Sequence, residues 1–199
     1  MKHIYINKNS SDTLIMLHGT GGNEEQMLSL ANLIDKDANI LSIRGNVVEN
    51  GMNRFFKRDG IGLYNIENYK FETNNLIDAI NNFSKEYKFK LEYATIVGFS
   101  NGANIALGII QTNPIINNYI LYSPDYINKD EGFNNLEGKN IYISTAENDP
   151  YVNFENMETL INRLNDKHAN VKVLKTSGHQ INNKVLENSI EWYKKIKLS

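Results

Sequence analysis

Ser100 is the side chain that its neighbours best equip to act as a nucleophile. It sits at the centre of Gly98-Phe99-Ser100-Asn101-Gly102, behind the apolar run Ala94-Thr95-Ile96-Val97 and ahead of a helical pattern from Ala103 to Gln111. Strand, sharp turn, helix is the context that makes Gly-x-Ser-x-Gly a nucleophile elbow. The serine is then held in a strained backbone conformation with its hydroxyl clear of the sheet. The two glycines are expected because the chain there runs close to itself and to the neighbouring strand, leaving no room for a Cβ. A serine hydroxyl attacks only when a base takes its proton, and the base needs a third group to orient it.

With this elbow the partners follow in the chain order serine, acid, histidine. After Ser100 the histidines are His168 and His179. His168 falls late in a helical pattern, where a solvated or capping role is the plain expectation. His179 follows the last strand, in Thr176-Ser177-Gly178-His179-Gln180, and is the expected base. The acid should follow the preceding strand, in Thr145-Ala146-Glu147-Asn148-Asp149-Pro150. Asp149 is preferred because Pro150 fixes the turn beside it; Glu147 is the fallback, and Asp125 comes third. Acyl transfer also needs donors for a developing oxyanion. One is the backbone N–H of Asn101. The other is expected from His18-Gly19-Thr20-Gly21-Gly22, whose glycines let N–H groups turn inward. That loop lacks the Lys-Ser/Thr of a P-loop and the spacing of a dinucleotide fingerprint, which argues against a phosphate cradle. His18 is expected to pack and hydrogen-bond locally.

The elements that must position these residues alternate along the chain. Short apolar runs at Leu14–Leu17, Ile40–Ile43, Ala94–Val97, Tyr119–Tyr122, Ile141–Ser144 and Val171–Leu174 read as strands. Residues His3 to Ile6 read as an edge strand. Helical spacing separates most of these runs: Met27, Leu30, Ala31 and Ile34 after an Asn23 cap; Leu76 to Tyr87; Phe154 to Leu164; Val185 to Ile196. The alternation predicts an α/β fold with a mostly parallel sheet covered on both faces. In such sheets ligands bind beyond the carboxyl ends of the strands, where the chemical motifs lie. Arg44 to Lys70 is expected to be long and irregular, and such loops are usually functional.

The chain has 199 residues, a formal net charge of -2 and no cysteine. One domain, residues 1–199, is expected. Nothing in the charge suggests a nucleic-acid partner. The missing cysteines exclude a disulfide framework and a thiolate nucleophile. The first residues lack a signal-peptide core and no stretch is apolar enough to span a bilayer, so a cytoplasmic location is expected.

Taken together, Leu17-His18-Gly19-Thr20-Gly21-Gly22-Asn23-Glu24, Arg44-Gly45-Asn46, Gly98-Phe99-Ser100-Asn101-Gly102-Ala103, Asn148-Asp149-Pro150 and Gly178-His179 resemble the phospholipase/carboxylesterase family of small α/β-hydrolases. With Gly51-Met52-Asn53-Arg54-Phe55-Phe56, the closest likeness is to the bacterial branch associated with hydroquinone- and quinone-resistance operons. The resemblance runs from about Leu14 to Tyr193. It implies an α/β-hydrolase core without a lid domain, a small-molecule ester or thioester substrate, no metal and no cofactor. Ser100, Asp149 and His179 match the family's triad, and Thr20 and Asn101 match its oxyanion-hole residues. A homodimer is compatible with it. Protein-deacylating thioesterases of the family carry glutamine where this chain has Asn101. The alternatives to a carboxylesterase are an acyl thioesterase or lysophospholipase, and an idle α/β-hydrolase domain that only binds small molecules. Candidate substrate contacts are Arg54, Phe55, Phe56 and Tyr122, with Met52, Tyr64, Pro124 and Tyr126 as further wall residues. An open, shallow cleft preferring short acyl chains is expected from them.

Overall fold

The computed structural model describes residues 1–60 and 62–198. Five parallel pairings and one antiparallel pairing build a seven-stranded sheet. Its strands, in chain order, are β1 (His3–Ile6), β2 (Thr13–Leu17), β3 (Asn39–Ile43), β8 (Ala94–Phe99), β9 (Asn118–Tyr122), β10 (Asn140–Ala146) and β11 (Asn170–Thr176). The spatial order is β1-β3-β2-β8-β9-β10-β11, with β1 the antiparallel edge. The helices are α1 (Leu28–Ile34), α2 (Ile66–Tyr87), α3 (Asn101–Thr112), α4 (Phe154–Asp166) and α5 (Asn183–Lys197). Among the described residues no helix is long and apolar enough to cross a membrane.

Side chains on a strand point alternately to opposite faces, so an unbroken apolar run has a partner layer on each side. In β2, Ile15 and Leu17 join the core with α2, α3 and α4, where Leu76, Ile80, Ile109 and Leu160 pack. Leu14 and Met16 join the opposite core, with Ala31 and Ile34 of α1 and Val185 and Trp192 of α5. The α/β-hydrolase layering follows from that alternation, and no insertion of domain size interrupts it among the described residues.

Two stretches differ from expectation. Residues 44–64 are not irregular. They fold into two small hairpins, β4 (Val47–Glu49) with β5 (Met52–Arg54), and β6 (Arg58–Gly60) with β7 (Leu63–Tyr64). Ile61, within this stretch, lies outside the described residues. The Asn50-Gly51 turn carries φ of 51° and 76°, the left-handed pair that closes two-residue hairpins. Helix α2 begins at Ile66, ten residues before its first expected apolar position, because Asn65 caps it by accepting from the Asn68 N–H. In contrast α1 starts late. Asn23 caps only a turn, accepting from the N–H groups of Glu25 and Gln26. Buried Glu24 is meanwhile drawn inward to Arg44 and Lys2.

Candidate active site

Strand β8 lies at the middle of the sheet and delivers Ser100 at its carboxyl end. Ser100 has φ 51° and ψ −114°, a conformation rare for a residue with a side chain. Hydrogen bonds hold it there: its N–H donates to Tyr122 O at 2.9 Å and its C=O accepts from Asn104 N–H at 2.9 Å. The flanking glycines are required by close approach. A Cβ on Gly102 would stand 2.1 Å from Leu17 O, and one on Gly98 would stand 2.6 Å from Gly102 O.

Strands β10 and β11 end beside β8 and β9 and present two loops. Asp149, in the first, accepts from His179 Nδ1 at 2.7 Å through Oδ2. Its other oxygen accepts from the Tyr151 N–H at 2.8 Å, so both carboxylate oxygens are occupied. A carboxylate only accepts, so the proton of His179 sits on Nδ1 and Nε2 keeps its lone pair. The pair is shielded, with the Asp149 side chain 1% and the His179 side chain 13% exposed. The loops are pinned together where Gly178 N–H donates to Asn148 Oδ1 at 2.9 Å. The His179 ring lies 5.3 Å from that of Phe99, the residue before Ser100. Glu147 points away, to within 3.6 Å of Lys175 at the surface. His168 follows the cap of α4 in the left-handed region, and its N–H donates to Asn165 O at 2.9 Å. Burial raises the carboxyl pKa of Asp125, whose N–H donates to Asn104 Oδ1.

The loop after β2 carries Thr20, whose Oγ1 accepts from Arg54 Nη1 at 2.8 Å. Asn101 begins α3 behind Ser100, and its Oδ1 accepts from the Phe55 N–H at 2.7 Å. His18 is fully buried under the loop, donating from Nδ1 to Gly19 O at 2.7 Å and accepting at Nε2 from Gly45 N–H at 3.1 Å. Burial, the largest influence, pushes its pKa down.

The expected substrate contacts are placed elsewhere. Phe55 and Phe56 are 1% and 0% exposed. Phe55 packs on His18, and Phe56 packs edge-on against Tyr69. The segment between the two hairpins folds inward, so the aromatic rings form core rather than cleft wall. Tyr122 is also buried, its hydroxyl 2.6 Å from Ser189 Oγ of α5 on the far face. Arg54 is spent on Thr20, Glu49 and Phe56 O. Tyr64 and Tyr126 do line a cavity of about 400 Å³, with Leu63, Asp125, Lys129 and Asn156. A larger cavity of about 550 Å³ lies between α1 and α5 and is lined by none of the candidate site residues. Sequence reasoning missed Tyr151, which is 73% exposed with its ring edge-on to His179 at 5.0 Å. Its place two residues after Asp149 was the available signal. Among the described residues no cluster of three or more His, Asp or Glu side chains is placed to hold a metal ion.

Comparison with known proteins agrees with this fold. The chain is 37% identical to MhqD of Bacillus subtilis (strain 168), named as a hydrolase, over 98% of each chain. The crystal structure of a Bacillus cereus carboxylesterase superimposes with a TM-score of 0.94 at 37% identity, covering 98% of this chain and 94% of that one. YahD, solved with malic acid, superimposes at 0.90 with 28% identity, covering 98% of both chains. The full-length likenesses agree with the esterase branch that the motifs resemble, and the chain is a hydrolase of the α/β-hydrolase fold. A family model described as the dienelactone hydrolase family matches residues 65–189, from the cap of α2 through Ser100, Asp149 and His179 into α5. The chain belongs to the dienelactone hydrolase family.

Proposed function

We propose that this hydrolase is a serine carboxylesterase acting on small carboxylic esters through an acyl-serine intermediate. The observation that carries the reading is the 2.7 Å bond from His179 Nδ1 to buried Asp149, beside the strained Ser100 elbow. His179 Nε2 takes the Ser100 hydroxyl proton as Oγ adds to the ester carbonyl. Asp149 holds the ring and stabilises the imidazolium that forms. The backbone N–H groups of Thr20 and Asn101 receive the oxyanion. Collapse breaks the C–O bond, and His179 returns the proton to the departing alcohol. Water then repeats the sequence, releasing the acid and Ser100. The likeness to a carboxylesterase favours an ester, and the small dicarboxylic acid solved with YahD favours a compact one. Exposed Tyr151, against His179, and exposed Met52, beside Gly21, replace Phe55 and Phe56 as the surfaces offered to substrate. The reading places one such unit, residues 1–199, in the cytoplasm, without nucleic acid, membrane or cofactor.

The test is the nucleophile. Ser100→Ala is expected to abolish labelling by a fluorophosphonate probe and to lower kcat on p-nitrophenyl acetate by about 10³-fold or more. Turnover like that of the wild type in this variant would remove Ser100 from the mechanism.

A further inference from the structure

Oxyanion catalysis depends on donors that are already in place when charge develops. The loop proposed to supply one of them is soft by composition. Exposed Thr20 stands among Gly19, Gly21 and Gly22, which turn N–H groups inward but supply no stiffness. The second donor sits on another element, at the start of α3. Something must fix the two relative to each other.

We infer that Asn53-Arg54-Phe55, the end of β5 and the residue after it, is the buttress that sets this separation, with Asn53 and Arg54 as positioning residues. The inference rests on the reading of Thr20 and Asn101 as the oxyanion donors. Four hydrogen bonds leave these three consecutive residues. Asn53 O accepts from Gly21 N–H at 2.9 Å. Asn53 Nδ2 donates to Gly22 O at 2.8 Å. Arg54 Nη1 donates to Thr20 Oγ1 at 2.8 Å. Phe55 N–H donates to Asn101 Oδ1 at 2.7 Å. The first three grip the oxyanion loop, and the fourth grips the elbow. A single extended segment therefore ties both halves of the hole.

Arg54 is built for this task rather than for meeting a substrate. Its side chain is 3% exposed, and Glu49 Oε2 stands 3.2 Å from its Nε. The same nitrogen donates to Phe56 O at 3.2 Å. The guanidinium fork is thus locked from behind, and one arm is left for Thr20. Asn at position 101 has a role of its own here, because its short amide reaches the Phe55 N–H.

A double-substitution cycle tests the link. Thr20→Val removes the hydroxyl and keeps the N–H. Arg54→Lys keeps the charge beside Glu49 and loses the fork. Each is expected to lower kcat on p-nitrophenyl acetate by about 10- to 100-fold with KM within about twofold, the scale of a donor displaced by about an ångström. The inhibition constant of an aryl trifluoromethyl ketone, whose adduct places an alkoxide in the hole, should rise by the same factor. The double variant should be no worse than the poorer single, because both cut one link. Asn53→Ala, at a half-buried position, should show the same kcat-selective loss even where Arg54→Lys fails to fold. Losses that multiply, a loss confined to KM, or unchanged ketone affinity would overturn the buttress. Wild-type protein that fluorophosphonate does not label at Ser100 would instead overturn the reading of the site, and the inference with it.

Discussion

Glu147 and Asp149 are two carboxyl groups in one loop with opposite surroundings. The first is exposed near Lys175, whereas the second is buried with both oxygens accepting hydrogen bonds. Asp149→Asn is expected to lower kcat by about 10⁴-fold, the loss seen when a triad histidine is left in the wrong tautomer. Glu147→Gln should leave it within about twofold, since an exposed ion pair contributes little. Steady-state turnover of both variants checks this, and the reverse ranking would make Glu147 the orienting acid. The bonded pair Asp149–His179 and the strained turn at Ser100 were legible as candidates in the sequence because chemistry dictates the residue types and the fold dictates their order. Phe55, Phe56 and Tyr122 were misread because residue type tells what a ring can do but not whether the backbone turns it into the core; Phe55 and Phe56 follow the end of β5 and are both buried. Arg54 was misread for a related reason: a lone arginine in a loop carries no mark of the hydroxyl it will hold.

At the scale of elements, the elbow works only because β8, α3 and β2 touch without side chains between them. Gly102→Ala would force a Cβ to 2.1 Å from Leu17 O, against strand backbone that cannot step aside. Overpacking of this kind costs about 1–3 kcal/mol or more. A fall in melting temperature of at least about 3 °C is therefore expected. Gly132→Ala, where nothing lies within 4 Å, should melt within about 1 °C of wild type. Calorimetry on the two variants checks the contrast, and equal melting would mean that the strand and helix can separate freely. The strands and the later helices could be read in advance because apolar runs and helical spacing recur with few breaks. The hairpins of residues 44–64 could not, although Asn50-Gly51 marked one turn. Strands of two or three residues are too short to show a period, and long-range bonds from Asn53 and Arg54 to the Gly19–Gly22 loop hold the first hairpin in place.

For the whole molecule, His18 is a buried titratable group that links acidity to stability. Burial holds its pKa below the ordinary 6.5. Between the folded and unfolded values the unfolded chain binds the extra proton, so its contribution is complete above about pH 6.5 and is lost as pH falls below it. The proton would also occupy Nε2, which now accepts from Gly45. The melting temperature is expected to drop between pH 7 and pH 5.5, with a shallower drop in His18→Gln. An identical slope in both proteins would assign the effect to other groups. Glu24 and Asp35, whose pKa values are also lowered, act further down, below about pH 4.5. The strained backbone of Ser100 has a consequence on the same scale. A residue held at φ 51° and ψ −114° costs the fold about 1–3 kcal/mol. The residue proposed as the nucleophile is therefore also a standing debit against persistence. A directed-evolution campaign that selects this chain for heat tolerance alone will be drawn to glycine at position 100 and will harvest durable, inert protein. Only a screen that scores turnover in the same well will keep the enzyme.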